Sequence, residues 1–254
     1  MKVRLDKLIW QRGLAPSRER AQALVLAGRV LVNQQKIDKS GASVDDKAVI
    51  RILGDDIPFV SRGGLKLAKT LEHWHIDVRG KVCMDIGAST GGFTDCLLQS
   101  GAAQVIAVDT GYGQIDAKLR SDARVTLLEK TNARYLTPEQ TWPDEGARRP
   151  ISFVAMDVSF ISATLVLPAV VQTVQTSRDF GGLELVVLVK PQFEVGREHV
   201  GKRGIVRDEG SRQMAVDRVT AAVADLGGVG MEVIDSPILG VEGNREFLLH
   251  ARFG

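Results

Sequence analysis

Two regimes of hydrophobic and polar patterning divide this 254-residue chain. In the first, apolar runs are short. Leu5, Leu8 and Ile9 recur at helical spacing until Gly13. Pro16-Ser17 opens a second helix with Ser17 as its N-cap, Ala21, Leu24 and Val25 as its apolar face, and Gly28 as its stop. Val30-Leu31-Val32 and Ile37 then flank Asn33-Gln34-Gln35, a pattern suited to a tight hairpin. Residues 51–60 contain Gly54, Pro58 and two acids, and read as a connector.

Beyond the connector, strand-like apolar runs alternate with amphipathic helical segments, as a parallel doubly wound sheet requires. Strands are expected at 82–86, 104–108, 125–129, 153–156, 183–189, 231–234 and 247–251. Helices are expected at 65–75, 93–100, 163–175 and 209–226, with Pro168 imposing a kink or a late start on the third. Residues 137–150, with Pro138, Pro143, Pro150 and several charges, read as a surface loop. The expected architecture is α/β: a Rossmann-like domain with a seven-stranded, mostly parallel sheet over residues 59–254. A small α+β domain and its connector occupy residues 1–58.

The strongest local signal is Asp85-Ile86-Gly87-Ala88-Ser89-Thr90-Gly91-Gly92-Phe93, which follows the apolar run ending in Val82-Cys83-Met84. It reads as strand, glycine turn and helix start. Glycines let backbone approach a ligand closely, and a helix N-terminus offers free N–H groups. The spacing departs from the G-x-G-x-x-G of dinucleotide folds, which weakens a pyrophosphate reading. The next strand ends in Asp109, where α/β folds hold a ribose through its hydroxyls. Strand, glycine loop, helix, strand and Asp together resemble the cofactor half of S-adenosylmethionine-dependent methyltransferases. An αβ turn without a ligand is the bland alternative.

Composition narrows the classes. Hydrophobic content of 44% and charged content of 25% are those of a soluble globular chain. No apolar run reaches the ~18 residues of a membrane helix, and residues 1–7 lack an apolar signal core, so a cytoplasmic protein is expected. Cys83 and Cys96 do not form a metal-ligand pair and read as small buried hydrophobes. No metal is expected. Charge changes the picture more. Net charge is only +2, yet residues 1–54 carry eleven lysines and arginines against five acids, so a basic module precedes a mildly acidic body. A polyanion is the partner that such asymmetry favours.

Within that basic module, Arg4-Leu5-Asp6-Lys7-Leu8, the string from Gly13 to Ala21 and Gly28-Arg29-Val30-Leu31-Val32-Asn33 resemble the S4-type RNA-binding domain. The resemblance covers most of residues 3–50 and implies RNA contacts by Arg4, Lys7, Arg18, Arg20 and Arg29. Arginine forks suit phosphates, and folded RNA is read largely by shape and backbone. Solvated surface charge is the competing reading for each.

Four polar positions of the larger domain fall at strand ends or helix starts. Asp157 follows Phe153-Val154-Ala155-Met156, and Lys190 follows Leu185-Val186-Val187-Leu188-Val189. Lys66 opens the helix after Ser61-Arg62-Gly63-Gly64, and Glu246 precedes the last strand. A lysine ending an apolar strand is costly unless paired. This K-D-K-E set resembles the FtsJ-like ribose 2′-O-methyltransferases. With the S4-type domain in front, the whole chain is similar to the TlyA (hemolysin A) family of ribosomal RNA methyltransferases. The resemblance implies Lys66, Asp157, Lys190 and Glu246 as the catalytic set. It implies S-adenosyl-L-methionine as cofactor, held by Asp85, Gly87, Ala88, Ser89, Gly91, Gly92, Phe93, Asp109, Asn132 and Asp157. It also implies ribosomal RNA or ribosomal subunits as partner, cytidine as the nucleotide, and neither a membrane nor an obligate protein partner.

The chemistry stands beside the family. A ribose hydroxyl is a poor nucleophile at neutral pH and needs a base or a polarising cation. A lysine acts as base when neutral, a form that desolvation and a nearby cation favour. Lys190 is the candidate base, Asp157 its orienting partner, and Glu246 the balance to Lys66; Glu242 is a rival to Glu246. Alignment of hydroxyl, methyl and sulfur carries most of the acceleration. Phe193 and Tyr112 are candidates to stack on a splayed nucleotide, with core packing as the alternative. Competing classes are a ribosome-associated RNA-binding protein with an inactive methyltransferase domain, a hemolysin, and a base methyltransferase. The last would show a catalytic cysteine or a proline-containing acidic string, and Asp157-Val158-Ser159-Phe160 lacks the prolines.

Overall fold

A computed structural model describes the chain except residues 1, 16, 27, 54–56, 143–148, 177–179 and 241–242. It divides into two compact units, Met1–Asp56 and Ile57–Gly254.

The first unit packs α1 (Leu5–Gln11) and α2 (Arg18–Leu26) against short strands. Strand β1 (Lys2–Arg4) pairs antiparallel with β4 (Ser43–Asp45), while β2 (Val30–Val32) lies between β3 (Gln35–Lys36) and β5 (Ile50–Ile52). Ser17 Oγ accepts the Arg20 amide at 3.1 Å and so caps α2. Asn33 and Gln34, at φ +48° and +68°, close the hairpin between β2 and β3 with the paired left-handed residues of a tight turn. Leu5, Ile9, Ala21, Leu24, Val25 and Val30 form its core. The connector expected from residue 51 begins later, because Ile50 and Ile52 pair with Val32 and Val30 and pack on that core.

In the second unit α3 (Gly63–His73) precedes β6 (Val82–Ile86), α4 (Gly92–Gln99), β7 (Gln104–Val108), α5 (Ala117–Arg120) and β8 (Val125–Leu128). Then follow α6 (Pro138–Thr141), β9 (Ile151–Met156), α7 (Leu167–Gln175), β10 (Leu183–Val189) and α8 (Pro191–Glu194). The long α9 (Glu209–Asp225) leads to β11 (Val229–Asp235) and β12 (Phe247–Phe253). The seven strands run in the order β11-β12-β10-β9-β6-β7-β8, with β12 antiparallel to both neighbours and the pairs from β10 to β8 parallel. Helix α6 interrupts the expected loop at 137–150, its first turn closed by the Thr137 amide donating to Gln140 Oε1 at 3.0 Å. Pro168 produces the late start: a 3₁₀ turn at Ala163–Leu165 precedes α7, and the proline occupies its first turn, where no N–H is missed.

Alternation explains the two-faced core. Val82, Met84 and Ile86 of β6 join one apolar cluster, while Cys83 joins the other, and β10 divides its residues in the same way. Cys83 and Cys96 are buried, and burial pushes both thiols up to about 12, so they act as packing groups. From β6 the chain winds one way to β7 and β8, and later the other way to β9 and β10. A doubly wound sheet opens its ligand crevice beyond the strand ends at such a reversal.

Candidate active site

Strand β6 gives way to Gly87, at φ +87°, where the backbone passes directly against β9's exit. A Cβ built there would lie 2.5 Å from the Asp157 carbonyl oxygen, so only glycine lets the loop approach so closely. Asp109, at the end of β7, holds the loop in place. Its Oδ2 accepts the Ser89 amide at 2.8 Å and its Oδ1 the Gly111 amide at 2.6 Å. The loop is thus set by a carboxylate from the neighbouring strand. Helices α3 and α4 meet through their glycine-rich starts. A Cβ on Gly92 would lie 2.3 Å from Ser61 Oγ and 2.9 Å from the Gly64 amide, and this close approach delivers Lys66 to the crevice.

Two adjoining cavities open above the strand ends. The larger, roughly 490 Å³, is lined by Gly87, Ser89, Asp109, Asn132 and Asp157 among others, and its size suits a small-molecule ligand. The smaller, roughly 290 Å³, is lined by Arg62, Lys66, Asp157, Ser159, Lys190 and Glu246 among others. Gly87, Ser89, Asp157 and Ser159 belong to both walls.

The four K-D-K-E residues, distant in sequence, form a continuous chain of ion pairs. Lys66 Nζ lies 2.6 Å from Glu246 Oε2 and 4.0 Å from Asp157 Oδ2, and Lys190 Nζ lies 2.5 Å from Asp157 Oδ1. Lys66, Lys190 and Glu246 are each less than a tenth exposed. Two lysine side chains and two carboxyl groups therefore meet in a space shielded from water, where charges persist only when paired. Glu242 lies outside the described residues.

Ser159 stands in the Asp157 motif string, which assigned it no role. Lys190 Nζ donates to its Oγ at 2.6 Å, extending the chain by one group. Asn244 likewise belongs to the Gly-Asn-x-Glu string that favours Glu246 over Glu242, without a role of its own there. Its buried amide accepts from the Val206 N–H at 2.9 Å and donates to the Gly204 carbonyl at 2.8 Å, fastening the segment with Lys202 and Arg203 beside Glu246. The available sequence signals were Ser159 two residues after Asp157 and Asn244 two before Glu246.

Not every expected cofactor residue lines a cavity. Asp85 is fully buried within β6 and contributes to neither wall. Its Oδ2 accepts both the Thr94 amide, at 2.9 Å, and the Thr94 hydroxyl, at 2.6 Å, so it braces the start of α4. Burial, helped by the charges of Asp157 and Asp109, pushes its carboxyl up to about 7. Gly91 faces Leu119 and Ile115 rather than a cavity. Ala88, Gly92 and Phe93 lie on the smaller cavity, and Asn132 on the larger, where its side chain also accepts the Arg134 amide at 3.1 Å.

In the first unit, Asp6 gathers the expected RNA-binding arginines. Its fully buried carboxylate accepts from Arg4 Nε and Nη2, Arg18 Nε, Gln22 Nε2 and the Lys7 amide. These donors hold it well below the usual carboxylate range, with Arg4 the chief cause. About half of each of the Arg4 and Arg18 side chains stays open to solvent. Lys7 is exposed and Arg20 half-buried, whereas Arg29 Nε donates inward to the Leu53 carbonyl at 2.8 Å.

The fit to S-adenosyl-L-methionine rests on these features. Asp109 spends about two of its four acceptor positions on backbone amides, leaving the rest for a vicinal diol. The Gly87 cradle admits close ligand contact, and the larger cavity has the required size.

Known proteins place the chain. The FtsJ-like methyltransferase family matches residues 59–253, and the S4 domain matches residues 3–50. The chain is 45% identical over 249 residues to YqxC of Bacillus subtilis, named as a candidate rRNA methyltransferase, covering 98% of this chain and 85% of that one. It is 44% identical over 252 residues to the 16S/23S rRNA (cytidine-2′-O)-methyltransferase TlyA of Mycobacterium tuberculosis, covering 99% and 90%. A solved structure from Streptococcus thermophilus, named as a candidate hemolysin, superposes with a TM-score of 0.75 at 42% identity, covering 99% of this chain and 88% of that one. This chain belongs to the TlyA family of S4-domain, FtsJ-like methyltransferases, which use S-adenosyl-L-methionine.

Proposed function

We propose that the enzyme methylates the ribose 2′-hydroxyl of a cytidine in ribosomal RNA, with Lys66, Asp157, Lys190 and Glu246 as its catalytic set. The observation that carries this reading is the buried chain Glu246–Lys66–Asp157–Lys190, whose Asp157 stands on the wall shared by the two cavities. The nucleotide and the ribosomal substrate come from the relatives' names.

Bound S-adenosylmethionine supplies a methyl group on a sulfonium centre. Asp109 holds its ribose, Gly87 and Ser89 of the glycine loop cradle it, and Asn132 meets its base. Lys190 takes the acceptor hydroxyl's side of the site. Asp157 fixes the direction of Lys190, and Glu246 neutralises and positions Lys66. Little group movement is then needed at the moment of reaction, which is how pre-set charge lowers a barrier.

The basic first unit, residues 1–58 with the connector, serves RNA binding, and residues 59–254 carry the chemistry. Arg4 and Arg18, pre-set by Asp6, present guanidinium faces to phosphate. Phe160, 92% exposed and tilted against Phe193 at 5.4 Å, offers a ring face to a splayed base. A ribosomal substrate places the enzyme in the cytoplasm.

The test is transfer of a radiolabelled methyl group to unmodified ribosomal subunits and to their naked RNA, with Lys190→Ala alongside. Label that protects a phosphodiester from alkali, and that disappears with Lys190, is the expected outcome. Label released by alkali, or full activity of the variant, overturns the reading.

A further inference from the structure

The chain of paired groups in the active site ends in a residue outside the catalytic set. Among Glu246, Lys66, Asp157, Lys190 and Ser159, the serine is the exposed member. Lys190 borders the smaller cavity alone, whereas Ser159 stands on the walls of both. Among the described residues Lys190 is the hydrogen-bond partner of Ser159, at 2.6 Å. Ser159 is not needed as a local cap, since Ser162 caps the following 3₁₀ turn by accepting the Thr164 amide. Immediately after it, Phe160 adopts φ +64°, a backbone state that bulky side chains rarely occupy. Such strain is found where a loop is held for function.

We propose that Ser159 is a catalytic residue that relays the proton of the acceptor ribose hydroxyl to Lys190, an inference that rests on the 2′-O reading above. The acceptor oxygen gains the methyl carbon, and the methyl–sulfur bond of the sulfonium donor breaks with its electron pair kept by sulfur. The acceptor proton passes to Ser159 Oγ while the serine's own proton passes to the unprotonated amine of Lys190. The sulfonium becomes a neutral thioether, Lys190 gains one positive charge, and Ser159 is regenerated. The 2.6 Å contact, in which Lys190 donates to Ser159 Oγ, is the arrangement after this transfer; before it the serine hydroxyl donates to the amine.

The test compares wild type, Ser159→Ala and Ser159→Thr in single-turnover transfer of labelled methyl to unmodified ribosomal subunits, across a series of D₂O fractions. Equilibrium affinities for S-adenosylmethionine and for RNA are measured on the same proteins. Ser159 is exposed, so the alanine variant is expected to fold. Ser159→Ala should slow the chemical step by roughly 10²–10⁴-fold, as loss of a proton-transfer group does, with both affinities held within about twofold. The wild-type rate should fall along a bowed curve with deuterium, two protons being in motion, and the alanine variant's along a straight line. Ser159→Thr, which keeps the hydroxyl, should retain most of the rate. A wild-type rate in Ser159→Ala, or a slowed reaction whose bowed curve persists, overturns the relay. Wild-type label released by alkali overturns the 2′-O reading beneath it, a failure visible without any Ser159 variant.

Discussion

Lys66 Nζ donates a 2.6 Å hydrogen bond to Glu246 Oε2, joining the first turn of α3 to the residue before β12 across 180 positions of sequence. Both side chains are buried. Removing one partner strands the other charge away from water, which costs about 3–5 kcal/mol in buried pairs. Glu246→Ala is therefore expected to lower unfolding free energy by that order, and Lys66→Met with Glu246→Met to recover much of it. Methyl transfer should stay absent in both. Chemical denaturation read beside the transfer assay checks this, and an active double variant would refute the assignment of the pair.

Asp109 governs cofactor affinity in this reading. It accepts the Ser89 and Gly111 amides, so its removal loosens the loop and also deletes a ribose partner. Hydrogen bonds to charged groups contribute about 1.5–3 kcal/mol, which corresponds to a loss of roughly 10- to 150-fold in affinity. Isothermal titration of Asp109→Ala with S-adenosylmethionine measures it. An unchanged affinity counts against Asp109 as the ribose anchor.

Gly87→Ala probes the close approach of the β6 and β9 exits. The added methyl would sit 2.5 Å from the Asp157 carbonyl oxygen, and the residue is held at φ +87°. Backbone cannot yield as a flexible side chain does, and non-glycine residues in left-handed conformations cost about 1–2 kcal/mol before any clash. The variant is expected to melt several degrees lower and to bind S-adenosylmethionine more weakly. Wild-type melting temperature and cofactor affinity together would contradict the geometry.

Asp85 makes stability depend on pH with a definite sign. Its folded-state carboxyl is raised to about 7 by burial, above its value in the unfolded chain. It releases its proton more readily unfolded, so its contribution is fully present below the unfolded value and is lost as pH rises through about 7. Asp85→Asn cannot ionise. Its stability relative to wild type should rise between about pH 4 and 7 and then level off. Denaturant unfolding of both proteins across that range is the measurement, and a flat difference would refute an uncharged Asp85.

RNA binding by the first unit has an electrostatic signature. Arg18 is tethered through Nε to Asp6 and leaves nearly half its side chain in solvent. If it meets a phosphate, Arg18→Ala should weaken binding evenly across RNA sequences and reduce the slope of log affinity against log salt by about 0.7–1. Filter binding over a salt series tests this, and an unchanged slope removes Arg18 from the interface.

Local chemistry wrote much of the architecture into the sequence. Three strands, at 82–86, 104–108 and 183–189, have the bounds read from their apolar runs. Continuous burial on both faces leaves little ambiguity in such runs. Pro168 and Ser17 marked a helix start because their effects act within one turn. One boundary that failed, at residue 51, depended on a partner: Ile50 and Ile52 become a strand by pairing with Val30–Val32 about twenty positions earlier. The order of the sheet, with β12 inserted between β10 and β11, is likewise a matter of long-range pairing.

At the site the same division holds. Residue type and motif alone singled out Lys66, Asp157, Lys190 and Glu246. Their union into one ion-paired chain is a tertiary fact, since it needs four separate elements to end at one crevice. Motif reading also placed Asp85 beside the cofactor, and the structure turns it instead to Thr94, because its position within β6 points it beneath α4. Ser159 shows the converse. A serine carries no special signal in sequence, and it acquires a role only because the β9 and β10 exits converge, placing its hydroxyl 2.6 Å from Lys190. Sequence determined which chemistry this chain carries and on which elements, because propensity and burial act over a few residues. Folding alone decided which of those groups touch, because hydrogen bonds and ion pairs depend on distances that no local pattern encodes.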